Sequence, residues 1–336
     1  MRLYLKGLCE GAEKEEAVRF LSLNDRLVDS PELRRYSNAL LAEWQVCNRR
    51  KARFVRTAFK MGLSSDVVVC GHIGQLPLVW LVSKLRPGLS YFLVAHGIEV
   101  WRPFTFIEKK ALRGARRIFC VSDFTRRQIV ERCPMLEDKA VVLYNALDPF
   151  LEPTAPANPP ETPDTILTIS RLTVADSYKG IDHLVRAMPA VCAAMPGTRL
   201  RVVGRGDGLP GLQALARKLN VHESVIFTGY RSDAELRSEF DRCRLFALPS
   251  EKEGFGLVFL EAMAHGRPCL GARSGGVPEI ITPETGVLVE YGDVNGIAQG
   301  IIGALRKNWN ADAIVMHARL FSYLRFKERL GSLLST

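Results

Sequence analysis

The sequence predicts an α/β protein of two domains, each built on a parallel sheet covered by helices. Three observations predict it. Short β-rich runs alternate with helical stretches through most of the 336 residues, the pattern of parallel strands joined by helical crossovers. The segment Asp148 to Asp164 carries six prolines and no apolar period, which marks a linker between domains. The residues best suited to chemistry follow the carboxyl ends of the expected strands, where such sheets bind their ligands.

In the first half, strands are expected at Asp66–Cys70, Tyr91–Ala95, Arg117–Val121 and Ala140–Leu143, with helices near 75–85, 104–114 and 123–132. After the linker they are expected at Ile166–Ser170, Arg199–Val203, Val225–Thr228, Leu245–Leu248, Pro268–Ala272 and Val287–Glu290. Helices separate these strands, most clearly at Ile181–Ala194 and Gly211–Leu219, and the last twenty residues, His317–Thr336, read as one amphipathic helix.

Composition narrows the class. Hydrophobic content of 47% with 24% charged residues suits a globular chain with large cores. No apolar run reaches the roughly 18–20 residues of a membrane span, and Met1–Gly7 lacks the apolar core of a signal peptide. The eight cysteines are scattered, with no Cys-x-x-Cys. They read as buried free thiols, so a reducing, cytoplasmic location is expected. The net charge of +10 is uneven: the first 158 residues hold +8 of it. Its densest runs are Arg49–Lys60 and Lys109–Arg117. Basic amphipathic helices suit an anionic membrane surface, and an ordinary solvated helix face is the alternative. Nucleic-acid binding is not expected, because no recognised motif or aromatic platform accompanies the charge.

The most informative stretch is Glu253-Gly254-Phe255-Gly256-Leu257 with Glu261. Glu253 is expected in the loop after the strand ending at Leu248, and Glu261 about one turn inside a helix from Leu257 to His265. The glycines on both sides of Phe255 let the backbone approach a ligand. A helix start offers N–H groups and a positive dipole end to an anion. A nucleotide sugar, with phosphate at one end and hydroxyls for carboxylates, fits that description. Arg171 ends one strand and Lys179-Gly180 opens the following helix, so two cations can neutralise a departing diphosphate. Gly204 to Gly211 is a glycine-rich run after a strand, read as a ligand loop rather than a dinucleotide fingerprint because Pro210 lies inside it. Thr228-Gly229-Tyr230 lines the same crevice or is a plain turn. His96-Gly97 follows a strand of the first domain. The chain has no Asp-x-Asp and no metal-ligand spacing of histidines, so neither a metal nor any other cofactor is expected. Ser122 as a nucleophile is disfavoured.

The ordered set Ile169-Ser170-Arg171, Tyr178-Lys179-Gly180-Ile181-Asp182, Val203-Gly204-Arg205-Gly206-Asp207, Phe227-Thr228-Gly229-Tyr230 and Glu253 to Ala262 resembles the family 4 retaining glycosyltransferases, over roughly residues 64–336. Gly275-Gly276-Val277-Pro278-Glu279 and Thr285-Gly286 are similar to that family as well. The resemblance implies the GT-B fold, two Rossmann-like domains facing a cleft. The expected division is 1–155 and 156–315, with helix 316–336 crossing back to complete the first domain. It implies that Arg171 and Lys179 hold the donor diphosphate and that Glu253 binds sugar hydroxyls. The backbone N–H groups of Phe255, Gly256 and Leu257 would lie beside sugar and phosphate. Glu261 would bind the ribose, with Gly204 and Tyr230 near the nucleotide. His96, within Ala95 to Trp101, would contact the transferred sugar. The family's first domain opens with a strand and a Gly-rich loop, but no Gly-Gly precedes residue 60 here. The first domain is therefore expected to be incomplete or divergent.

The reading is a hexosyltransferase that uses a nucleoside diphosphate sugar and a glycan or lipid-linked acceptor, retains configuration, and works at the inner face of a membrane. The rivals are a nucleotide-sugar epimerase or phosphorylase on the same fold, and an inactive nucleotide-sugar-binding fragment.

Overall fold

The computed structural model describes residues 1–12, 17–25, 34–38, 41–150 and 165–335. The expected linker lies outside the described residues beyond Phe150. The chain forms two compact units, Met1–Ala146 with Tyr323–Thr336, and Leu147–Ser322.

In the first unit, α1 (Arg2–Gly11) precedes a parallel pair, β1 (Val18–Ser22) and β2 (Leu41–Val46), and α2 (Lys51–Leu63) leads into the main sheet. That sheet is β3 (Val67–Cys70), β4 (Ser90–Ala95), β5 (Arg117–Cys120) and β6 (Ala140–Val142), parallel and in sequence order. Its crossovers are α3 (Leu76–Leu85), α4 (Phe106–Gly114) and α5 (Asp123–Arg132). Tyr91–Ala95 and Ile118–Cys120 are buried without alternation, as strands covered on both faces must be. α4 opens on a capping box: Glu108 accepts the Thr105 N–H at 2.8 Å, and the Thr105 hydroxyl accepts the Glu108 N–H. Ser122 is fully buried, and its hydroxyl accepts the Thr125 N–H at 3.1 Å to cap α5.

The second unit runs β7 (Thr165–Ile169), α6 (Ile181–Ala194), β8 (Arg199–Val203), α7 (Leu209–Lys218), β9 (Val225–Gly229), α8 (Asp233–Arg242), β10 (Leu245–Leu248), α9 (Leu257–Ala264), β11 (Cys269–Ala272), β12 (Gly286–Val289), α10 (Val294–Arg306) and α11 (Ala311–Ala318). Its six parallel strands lie in the order β12-β11-β10-β7-β8-β9. The chain moves outward from β7 through β8 to β9, returns to the other side of β7 with β10, and moves outward again to β12. The loops after β7 and β10 therefore diverge, and a crevice opens at their carboxyl ends.

A 3₁₀ turn, Arg319–Phe321, then leads to α12 (Tyr323–Ser335), which belongs to the first unit. The single helix expected over 316–336 is thus two, parted where Ser322 is extended (φ −69°, ψ 153°). α12 packs on α1 through Phe326 edge-on to Tyr4, with ring centroids 4.9 Å apart. Glu10 fastens the pair, accepting from the Tyr323 hydroxyl at 3.0 Å and pairing with Lys327 at 3.0 Å. The eight cysteines are free thiols, all buried except the half-buried Cys192. No helix among the described residues is long and apolar enough to cross a membrane.

Candidate functional site

The divergence point between β7 and β10 gathers three of the expected residues. Lys179 stands in the segment between β7 and α6 and Glu253 in the loop after β10, and Lys179 Nζ meets Glu253 Oε2 at 2.6 Å. Both side chains are less than a fifth exposed, so neither charge is well solvated without the other. Arg171, on the loop after β7, pairs with Asp176 at 3.0 Å, but its own side chain is 74% exposed. Burial alone would raise the Asp176 carboxyl. The hydroxyls of Thr173 and Tyr178 donate to it, and together with the cations of Arg171 and Lys179 they hold it below its ordinary range. Asp176 went unnoticed in the sequence because nothing in its spacing from Arg171 reveals a 3₁₀ turn over Val174–Lys179.

Loop-on-loop packing sets these positions. Gly180 has φ +70°, and a Cβ there would lie 2.4 Å from the Pro249 carbonyl oxygen. The Glu251 N–H donates to the Tyr178 carbonyl at 2.8 Å. These contacts bring the Lys179 loop against the Glu253 loop. On the other side, the Gly276 N–H donates to the Glu253 carbonyl at 2.8 Å, and the Ser274 hydroxyl donates to the Glu251 carbonyl.

The glycine-rich run after β8 packs on the Arg171 loop. A Cβ at Gly204 would lie 1.8 Å from the Ser170 carbonyl oxygen, and one at Gly206 would lie 2.3 Å from that of Leu172. The Leu172 N–H donates to the Arg205 carbonyl at 3.0 Å, the Gly208 N–H to the Leu172 carbonyl at 2.8 Å, and the Val174 N–H to the Asp207 carboxylate at 2.9 Å. The close approach is therefore to another loop of the chain, a reason for these glycines that the reading as a ligand loop did not contain.

α9 opens on Gly256 (φ +99°) with no side-chain cap, which leaves its first turn of N–H groups without that partner. The Phe255 side chain is core, 3% exposed and 5.7 Å edge-on from Phe321, while Leu257 is exposed. Glu261 lies in the second turn of α9. Burial first, then the nearby carboxylates of Asp148 and Asp233, push its carboxyl up to about 7. Tyr230, just after β9, is exposed and lies under the Arg205 guanidinium, 5.0 Å from its ring centroid. His96 belongs to the other unit, at the end of β4. Its N–H donates to the Glu99 carboxylate at 2.6 Å, and burial pushes its imidazole down to about 4. Among the described residues, no three His, Cys, Asp or Glu cluster in a way that could hold a metal.

Residues 163–307 match the family model described as Glycosyl transferases group 1, and residues 9–149 match that described as Glycosyltransferase Family 4. The first sixty residues, expected to match poorly, therefore fall largely within the second match. A GDP-mannose-dependent monoacylated alpha-(1-6)-phosphatidylinositol monomannoside mannosyltransferase of Corynebacterium glutamicum is 37% identical over 38% of this chain and 35% of its own. The N-acetyl-alpha-D-glucosaminyl L-malate synthase of Bacillus anthracis is 39% identical over 38% of this chain and 33% of its own. The matched stretch thus spans about a third of the length of either relative. Among solved structures, Anabaena HepE in complex with UDP and glucose superposes with a TM-score of 0.81 at 19% identity, covering 99% of this chain and 95% of that one. Sucrose-phosphate synthase from Thermosynechococcus elongatus gives 0.73 at 21% identity, over 99% and 92%.

Proposed function

The chain belongs to the group 1, family 4 glycosyltransferases and has their GT-B fold, and from that premise we propose that it moves a hexose from a nucleoside diphosphate sugar to a glycan or lipid-linked acceptor with retention of configuration. The observation that carries this reading is the convergence of Arg171, Lys179 and Glu253 where β7 and β10 diverge, beside the uncapped start of α9.

Each group has a task there. The Arg171 guanidinium is itself exposed and pairs with the buried Asp176, which keeps the Thr173 and Tyr178 hydroxyls as donors when the guanidinium turns to a phosphate. Lys179 neutralises Glu253; a diphosphate that draws the ammonium to itself leaves Glu253 for sugar hydroxyls. The N–H groups of Phe255, Gly256 and Leu257 meet sugar and phosphate, and Gly204 and Tyr230 flank the nucleotide. His96 is assigned to a sugar hydroxyl. With its imidazole near 4 it is neutral at neutral pH and acts by hydrogen bonding rather than charge. Stabilising the leaving diphosphate is the main catalytic work. No side chain of the site stands as an obvious double-displacement nucleophile. The acceptor attacks from the face the diphosphate leaves, and the phosphate takes the acceptor proton. The cations do the work of a metal. An epimerase has no support in the relatives named above.

A thermal-shift panel of UDP-, GDP-, ADP- and dTDP-sugars tests donor binding without an acceptor, and transfer in excess EDTA tests the metal. At least one sugar nucleotide should raise the midpoint, and transfer should survive EDTA. No shift with any of the four would sink the donor reading. Activity lost in EDTA and restored by Mg²⁺ or Mn²⁺ would remove its metal-free form.

Glu261 makes donor affinity depend on pH. Ribose hydroxyls donate to a carboxylate, so binding needs the deprotonated form. With the carboxyl near 7, nucleoside diphosphate affinity should rise by about tenfold from pH 6 to pH 8 and then level off. The nucleotide's own phosphate titrates in the same range, so Glu261→Gln is the control: its profile should be flatter by that amount. The folded carboxyl is raised, so its contribution to stability is complete below about 4.5 and is lost as pH rises through about 7. Calorimetry at both pH values checks the prediction; identical profiles for the two proteins would remove Glu261 from the ribose.

A further inference from the structure

The two basic runs lie on one helical layer of the first unit, since α2 packs against α3 and α3 against α4. Each helix exposes a stripe at three- and four-residue spacing. On α2 it is Arg53, Arg56, Lys60 and Leu63. On α3 it is Leu81, Lys84 and Leu85, the two leucines being 46% and 61% exposed. On α4 it is Phe106, Ile107, Lys110 and Arg113, with Phe106 75% exposed. The Lys110 ammonium sits 4.5 Å over the Phe106 ring. The only acidic residue of the three helices, Glu108, is 6% exposed and turned to Arg102 and the Thr105 cap. The face is therefore cationic without an offsetting carboxylate on its own helices, and bulky apolar side chains project from it beside the amines.

We propose that this face of α2, α3 and α4 docks on an anionic lipid bilayer. Leu81, Leu85, Phe106 and Ile107 enter the headgroup boundary, while Lys84, Lys110, Arg113 and the α2 cations meet lipid phosphates. A nucleic-acid partner would use the charge but leave the projecting aliphatic side chains in water. An acidic protein would bind the same cations with no lipid present, so the dependence on vesicle composition separates the two. The proposal goes beyond donor chemistry and does not depend on it.

Co-sedimentation with vesicles of phosphatidylcholine, with and without phosphatidylglycerol, tests it. The protein should pellet with the mixed vesicles at low salt and be released as salt rises. Lys84→Glu with Lys110→Glu should weaken partitioning by about tenfold or more. Phe106→Ser with Ile107→Ser should weaken it by a similar factor on the same vesicles, at unchanged charge, and Leu85→Ser should act in the same direction. All of these positions are exposed, so thermal midpoints should stay near wild type, and nucleotide-induced shifts should persist. Binding absent at low salt, binding equal on neutral vesicles, or apolar variants that bind like wild type would each overturn the proposal. The last outcome would leave a face for any polyanion, which heparin competition would display directly.

Discussion

Replacing Arg171 or Lys179 with Ala should lower sugar transfer by about 10²–10³-fold, a loss on the order of 3–4 kcal/mol of transition-state stabilisation. The two variants should differ in a second respect. Arg171 is largely exposed, and the buried Asp176 keeps the Thr173 and Tyr178 hydroxyls and the nearby Lys179 cation without it, so its removal should lower the thermal midpoint only slightly. Lys179 is mostly buried against Glu253. Its loss strands a carboxylate and should destabilise the chain measurably, by about 1–3 kcal/mol. The double variant Lys179→Ala/Glu253→Gln removes the stranded charge and should recover much of that stability without recovering transfer. Steady-state rates with the donor found by the nucleotide panel, paired with melting curves, decide the matter. Wild-type rates in both single variants would refute the diphosphate assignment.

The second large effect is expected where the loops touch. Gly204→Ala and Gly275→Ala each force a Cβ into a backbone carbonyl oxygen, 1.8 Å from Ser170 in the first case and 2.2 Å from Glu253 in the second. Both residues also have positive φ, +149° and +60°. Strain of this kind costs about 1–3 kcal/mol before any collision is counted, so a fall in midpoint of at least roughly 2–12 °C is expected for a unit of this size. The displaced groups are the carbonyls that carry the Arg171 and Glu253 loops, so donor affinity should fall with stability. Gly211→Ala is the contrast: that glycine lies inside α7 with nothing within 4 Å of its Cβ, and the change should be neutral or slightly stabilising. Melting curves and donor titrations on the three variants test this. Equal midpoints for all three would mean that the loops do not depend on these glycines.

The sequence alone determined the alternation of strands and helices. Strands with both faces covered are apolar throughout, as Tyr91–Ala95 and Leu245–Leu248 are, and glycines, prolines and caps punctuate them. Arg199–Val203 and Ile181–Ala194 were legible to the residue. It also placed Arg171, Lys179 and Glu253 after strands, which in a parallel sheet means one edge.

Only the tertiary structure decided that β7 and β10 are neighbours, because strand order depends on long-range pairing that no local pattern records. That adjacency puts Lys179 on Glu253, 74 residues apart in the chain. It also gave the glycines after β8 and β11 their reason, since what each must approach is a carbonyl on another loop. The raised carboxyl of Glu261 and the depressed imidazole of His96 were hidden for the same cause. Burial is the first contribution to both, and burial belongs to the packed unit rather than to the residue. The break of the last helix at Ser322, which passes α12 from one unit to the other, is likewise invisible in an amphipathic pattern that continues through it. Periodicity reports which side chains face a core, and only packing reports which core it is.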